Sequence, residues 1–522
     1  MRWPVLLAGA FAALFAGLPL VAVFAEALVG LPALGEVLAE PTDRAALVAS
    51  IQLGVVATAV AAVLGTGYAW LTFRTDLPGA RVLQPLGVLP LVVPPILLAM
   101  AFADLLPMQG FWACSALLGL AYAPFVAVLC ARGLRAVDGR AYEAALLARG
   151  RTAAERLLLV MVLPEIAAGC LLAFLFVVSE HGVPEFLTVK GKTWHTYAEV
   201  VFRLWTRRAL GTSAADLASP IVAALPLLAL IATALFLALR LRARAGVHAS
   251  EPLPVRSLGP LRWPALAWPL AYLGLGALLP AVVMARWAAG STSAAPMSLA
   301  TLRRSLSGAL TQAGDDLVYT LLVALATALL VVIVALPLAR RAGRGRGYLE
   351  HATVLPLAVP AVLLGIGFVQ VFNSPLANRV YAAGFDFYDS GASVVAAYAA
   401  RMLPFAVLTL AGAVRRVPEA LDDAALLSGR PPAARAWRIH VPLLAPAAWS
   451  AACLTFVLAL RELDVAVVLP AGNGTVVRRL SNIVHFGGED VGGALALYLL
   501  AAALLVPILG MILSGRRPTP IS

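Results

Sequence analysis

Long apolar runs alternate with short polar breaks along almost the whole chain. Runs long enough to cross a bilayer, about 20 residues at a rise of about 1.5 Å each, fall near 4–25, 47–73, 83–106, 113–134, 165–180, 217–241, 263–288, 316–340, 352–372, 390–414, 443–460 and 491–514. The pattern predicts about twelve transmembrane helices, with 165–180 and 443–460 the shortest. The first apolar run, Val5 to Phe24, is followed by Ala25-Glu26-Ala27, which resembles a signal-peptide cleavage site. It is longer than the roughly 7–15 residues of a signal-peptide core, so it is expected to stay as an uncleaved first span.

The breaks carry a second pattern. "VLPLVVPPILLAM" (88–100) matches "VLPLAVPAVLLGI" (354–366), and "PFVAVL" (124–129) matches "PFAVL" (404–408). A charged island, "YEAALLARGRTAAERLLLVMVLP" (142–164), then matches "DDAALLSGRPPAARAWRIHVP" (422–442), and Phe174 and Glu180 fall where Phe456 and Glu462 do. The order is the same in both halves, so the expected architecture is all-α, with two parallel six-helix repeats related by an axis along the membrane normal. A pathway would run most simply along that axis. The expected segments are 1–46 (first helix and outer loop), 47–241 (first copy), 242–315 (linker, seventh helix and outer loop), 316–514 (second copy) and 515–522 (tail). "LRARAGVHASEPLPVRSLGPLRW" (241–263), rich in Arg, Pro and Gly, reads as a tether between the halves.

Composition narrows the class. Of 522 residues 61% are hydrophobic and 13% charged, against about 25% charged in an ordinary soluble domain. The net charge of +12 does not point to nucleic acid, because the basic residues lie between apolar runs rather than in one patch. With the N-terminus inside, 25 of the 39 basic residues fall on the cytoplasmic side, as the positive-inside rule requires. Both termini and both islands are then cytoplasmic. The exception is 181–216, which puts Lys190, Lys192, Arg203, Arg207 and Arg208 outside.

Catalytic and metal signatures are weak. Cys114, Cys130, Cys170 and Cys453 lie in or beside apolar runs without CxxC spacing and read as packing residues. Lys190-Gly191-Lys192-Thr193 ends like a phosphate-binding loop, but the glycine such a loop needs five residues before Gly191 is Phe186. No HExxH, lipase-type GxSxG or Ser-His-Asp set is readable, which disfavours an intramembrane enzyme.

In the second island Asp423 suits a helix N-terminus, Ala424, Ala425, Leu426 and Leu427 continue the helix, and Gly429 is a natural stop. Pro431 and Pro432 suit the next first turn. The expected element is a short helix at the membrane surface tied directly to a span, so that pushing on it tilts the span.

On these residues the islands resemble the E-A-A-x3-G-x9-I-x-L-P loop of permease subunits of binding-protein-dependent ATP-binding-cassette (ABC) importers. In the second copy Asp423-Ala424-Ala425 stands for E-A-A, Gly429 is in place with Arg430 beside it, and Val441 replaces the leucine before Pro442. In the first, Glu143-Ala144-Ala145 is intact, but Gly150 comes one residue late, with Arg149 at the strict position, and Pro164 falls one later again. The resemblance covers 47–241 and 316–514 and implies a type I importer fold in which each loop docks on a separate ATPase.

Two permease domains in one chain, with "SEHGVPEF" (179–186) and "RELDVAVVLPAGNGT" (461–475) after the fifth span of each half, look most like the ferric-iron type. Thiamine and phosphonate importers share that layout. The resemblance implies two cytoplasmic ABC ATPase subunits, one extracytoplasmic binding protein, a bacterial inner-membrane location and no cofactor on this chain, ATP being used by the partners. Substrate-pathway candidates are Glu180, His181, Glu185, Glu462 and Asp464, with His181 and Glu185 at i and i+4 as a candidate hard-cation pair and Arg461 and Arg203 as candidate ion partners for this acidic group. No metal set is certain. The competing class is an ATP-independent secondary transporter, which usually keeps more charges within spans. Here only Arg401 lies deep in one.

Overall fold

The computed structural model describes residues 3–188, 194–209, 220–244, 251–290, 297–343, 352–382, 384–427, 436–469, 473–486 and 489–513. The described residues are mostly helical, and among them the one extended pairing is a bridge between Thr75 and Arg256. Among the described residues eight helices are long and apolar enough to span a membrane: α1 (Trp3–Val29), α2 (Pro41–Arg74), α4 (Gly110–Ala136), α5 (Gly139–Ser179), α7 (Gly259–Ala288), α8 (Leu299–Gly343), α10 (Gly391–Arg415) and α11 (Arg438–Leu460). Two bent pairs bring the number to ten: α3 (Ala80–Leu91 with Pro95–Leu105) and α9 (Ala352–Ala358 with Ala361–Phe372). Two shorter apolar helices are α6 (Leu225–Leu241) and α12 (Asp490–Leu505). Each apolar run of the sequence thus falls on one element, although the last two are shorter than a full span.

The prolines explain the bends. α3 turns by 91° and α9 by 109°, at Pro94–Pro95 and Pro360, each just after a 3₁₀ turn that begins with a Leu-Pro pair. Proline has no amide proton and its ring clashes with the preceding turn. The helix therefore stops and restarts, Pro94 and Pro360 sitting at ψ 136° and 143°. In α3 the Leu91 amide bonds to Val88 O, which releases the Gly87 carbonyl. A carbonyl released inside a bilayer must be met by the protein, and Tyr272 Oη of α7 donates to it at 2.8 Å. Tyr68 Oη of α2 donates to Leu83 O nearby, its ring centroid 4.6 Å from that of Tyr272.

The chain folds into two compact units that do not follow its linear halves. One is Gly30–Ser298; the other joins Met1–Val29 to Leu299–Arg516. The first helix of each half thus packs in the unit of the other half. Within the second unit α1 lies along α9, where Phe15 stacks 5.5 Å from Phe372 and Glu26 accepts a hydrogen bond from Gln370 Nε2. Within the first, α7 lies along α2 and α3 through the two tyrosines.

The enclosed centre of each unit is the fourth element of a linear half, α4 in one unit and α10 in the other. The apolar windows of α4 and α10 are 89% and 78% buried, whereas those of α1, α2, α5 and α7 are 22–33% buried, which leaves their remaining apolar surface for lipid. α2 and α4 approach closely through small residues, as expected where packing rather than water drives helix association. A Cβ on Gly65 would lie 2.5 Å from Ala123 O, and one on Gly119 would lie 2.7 Å from Ala57 O. Gly65→Val should therefore lower thermal stability in detergent by about 1–3 kcal/mol. Gly308→Val, with open space around its Cβ, should leave the melting temperature nearly unchanged. Equal shifts for the two would contradict this packing.

Candidate functional site

The first polar island forms one end of α5. Asp138 caps it, a carboxylate oxygen accepting from the Arg140 amide at 3.1 Å. The 41-residue element is then interrupted at Gly150, whose φ of 76° and ψ of −178° are not helical. Left-handed backbone costs any residue with a Cβ, so glycine is the residue that permits the turn. A short surface helix leads into Gly150, and a span leads out of it. The stop falls at Gly150 itself and not at Arg149.

Tyr142 is buried and its hydroxyl donates to Glu155 Oε1 at 3.0 Å, across the turn. Burial, together with that bond, raises the Tyr142 phenol above its ordinary value. Glu143 and Ala144 are exposed, and Ala145 is half-buried.

The second island forms a helix at Glu419–Leu427. Asp423 and Ala424 are exposed, while the Ala425 side chain and all of Gly429 and Arg430 lie outside the described residues. So do Lys190 to Thr193. A feature that composition did not flag stands out on both helices: Leu147 is 88% exposed and Leu427 90%. They hold matching places, four residues beyond Glu143 and Asp423, and so share a helical face with those acids. The i, i+4 pairing of acid and leucine was the available signal.

At the far end of α5 the pathway candidates separate. Glu180, His181, Glu462 and Asp464 are buried, but Glu185 is exposed, so His181 and Glu185 do not share an enclosed site. The His181 ring lies 4.5 Å from that of Phe202. Among the described residues no three His, Cys, Asp or Glu side chains converge as a metal-ligand set. Each buried glutamate is instead held by its unit's central helix. Tyr122 Oη of α4 donates to Glu180 Oε2 at 2.7 Å. Arg401 Nε of α10 lies 2.9 Å from Glu462 Oε2, while the Val465 amide donates to Glu462 Oε1 at 3.2 Å. The intramembrane charge of Arg401, noted in the sequence without a partner, is thus neutralised by a residue 61 positions away.

Beyond these glutamates each unit carries a short helix, at Gly182–Leu187 and Asp464–Val468, followed by an amphipathic one, at Tyr197–Ala209 and Val476–Phe486. Both amphipathic helices begin on a hydroxyl from an apolar helix. The Tyr197 amide donates to Ser50 Oγ of α2 at 2.7 Å, and the Val476 amide donates to Thr320 Oγ1 of α8 at 2.9 Å. The second is further tied by Arg479 Nη1 to Asp316 Oδ2 at 2.6 Å. Two features therefore recur in the chain: an exposed acid–leucine pair on a surface helix, and a buried glutamate beyond the span that comes after it.

Residues 331–516 match the model of the family described as binding-protein-dependent transport system inner membrane component. The molybdenum transport system permease protein ModB of Mycobacterium tuberculosis is 31% identical over 207 residues, 38% of this chain and 76% of the relative. The chain belongs to this family of transport-system membrane components. It is a multi-pass inner-membrane permease of the ABC importer class. The trehalose transport system permease protein SugB of Mycobacterium tuberculosis is 30% identical over 166 residues, 31% of this chain and 59% of the relative. The ferric transport system permease protein FbpB of Actinobacillus pleuropneumoniae is 27% identical over 155 residues, 30% of this chain and 21% of the relative. The second island and the Arg401–Glu462 pair both lie inside the stretch that matches the permease family.

Removing one member of a buried ion pair leaves the other charge uncompensated. Arg401→Met should therefore destabilise the permease by about 3–5 kcal/mol, and Arg401→Met combined with Glu462→Met should recover most of that. Unfolding in detergent measures both; a double variant no more stable than Arg401→Met would show that the two charges do not compensate each other.

Proposed function

We propose that this permease forms the translocation pathway of an ATP-driven importer, with each half acting as one permease domain of a fused, internally repeated pair. Both polar islands are cytoplasmic in this reading, as are both termini. Two separate ATPase subunits dock on the islands, and one extracytoplasmic binding protein delivers the solute at the other face. The observation that carries the reading is the matched exposure of Leu147 and Leu427 (88% and 90%) on helices that otherwise present charge. An apolar side chain held out from a surface helix beside an acid suits a cleft on another protein, where its burial stabilises the complex.

The mechanism rests on the covalent layout. Gly150 joins a surface helix to a span with one residue between them, so displacement of the first moves the second, and with it Glu180 at the far end. ATP-driven closure of the motor subunits shifts the permease toward whichever state gives the tighter docking, which we assign to the outward-open one. Release of solute and nucleotide returns it.

Ferric iron is the substrate we propose first, as cargo and not as a resident metal. Support comes from the two-permease layout, which looks most like the ferric type, and from similarity to a ferric transport permease. Molybdate is the second reading, favoured by the 31% identity to ModB. Reconstituting the permease with its ATPase and binding protein and asking which loaded ligand stimulates hydrolysis separates them from each other and from thiamine or phosphonate.

Leu147→Asp and Leu427→Asp should each reduce ATP-dependent uptake by about tenfold or more, the loss of one buried leucine anchor. Membrane insertion should be unaffected. Normal uptake in both variants, labelling of a cysteine at 143 or 423 from outside the cell, or uptake without nucleotide would overturn the proposal.

A further inference from the structure

Residues 251–258, whose composition reads as a tether, are built into the first island. Arg74, the last residue of α2, is 2% exposed although charged. Its Nη1 donates to Pro254 O, its Nη2 lies 3.6 Å from Glu155 Oε1, and its guanidinium stacks 4.7 Å from the centre of the Tyr142 ring. One side chain therefore touches the surface helix, the span beyond Gly150 and the linker.

The backbone is engaged as well. Arg256 N donates to Arg74 O at 2.8 Å, Asp76 N to Arg256 O at 3.0 Å and Gly139 N to Glu251 O at 2.9 Å. The Asp76 carboxylate accepts from Leu258 N at 2.7 Å and from Ser257 Oγ at 3.0 Å. Arg140 Nη2 also meets Glu251 Oε1 at 2.6 Å, an exposed pair that adds little.

Gly139 shows how close the fit is. It opens the surface helix without a positive φ, so its backbone would accept any residue. A Cβ there would nevertheless lie 2.5 Å from Pro252 O and 3.3 Å from Glu251 O. The linker alone excludes a side chain. Beyond Leu258 the chain runs directly into α7, whose Tyr272 holds the Gly87 carbonyl of bent α3.

We propose that residues 251–258 are a strap that positions the first surface helix, 139–149, and ties it through α7 to the broken span α3. A tether needs length alone; this segment uses hydrogen bonds, a buried arginine and an excluded side chain. The inference rests on the permease reading only in what the held helix does.

Four full-length proteins, purified with the ATPase and binding protein, test it: equal-length Gly-Ser replacement of 251–258; Gly139→Val; both together; and an eight-residue Gly-Ser insertion between Gly246 and Val247. Replacement and Gly139→Val should each lower the ratio of binding-protein-stimulated to basal ATP hydrolysis by about threefold to tenfold. The combined form should be no worse than either, because both remove one contact. The insertion, which lengthens the tether and spares the strap, should keep the native ratio. In the permease alone, replacement should speed hydrogen exchange at amides 139–149 by about tenfold or more while α4 amides are unchanged. Native exchange at 139–149 in the replaced protein, or additive losses in the combined form, would overturn the strap. The exchange measurement uses neither ATPase nor solute, so the strap can fail while the permease reading stands, and the reverse.

Discussion

A carbonyl cannot be left unmet in hydrocarbon, and much of the first unit is built around that constraint. The 3₁₀ turn at Leu89–Leu91 takes the Leu91 amide to Val88 O and so releases Gly87 O, just before α3 breaks at Pro94 and Pro95. The donor that meets it comes from outside α3, from Tyr272 of α7. α7 must then lie in the unit of the half that precedes it, and the chain must return along the loop end of that unit to start it. Residues 251–258 are that return path, and they pass against the helix that begins at Gly139. The carbonyl released at one irregular turn is thereby met by the helix that the linker brings back to this unit.

The two units solve the same electrostatic problem with different chemistry. Each sets a buried glutamate just beyond the fifth element of its half and holds it from the central helix. In one the holder is the Tyr122 hydroxyl, a neutral donor; in the other it is the Arg401 guanidinium. The donor from α4 to Glu180 is neutral, whereas the donor from α10 to Glu462 carries a full charge.

Much of this was legible in the sequence, and the limits have physical causes. The apolar runs were readable because a bilayer demands continuous hydrophobicity, and the bends fall at Pro94 and Pro360, equivalent positions of the matched strings 88–100 and 354–366, because proline acts locally. Gly150 came only from the motif, whose strict spacing points one residue earlier, to Arg149. Exposure was not readable: Leu147 and Leu427 look like ordinary helix formers until their neighbours are placed. Nor was the Arg401–Glu462 pair, whose members are 61 positions apart. The linker misled most, since Arg, Pro and Gly are the composition both of a loose tether and of an extended segment that lends its carbonyls to Arg74 and Gly139.

That linker bears on how force divides. A surface helix joined to the membrane only through Gly150 would deliver any push along α5 alone. Held also by the Gly139–Glu251 bond and by Arg74, it delivers part of the push to α2, whose last residue is Arg74, and part to α7 through Leu258. Both of those helices reach α3 by the tyrosines at 68 and 272. The broken span has lost helical hydrogen bonds at its prolines. Under the proposed docking, a surface helix braced in this way would act on that span from two sides, while α5 carries Glu180 from a third.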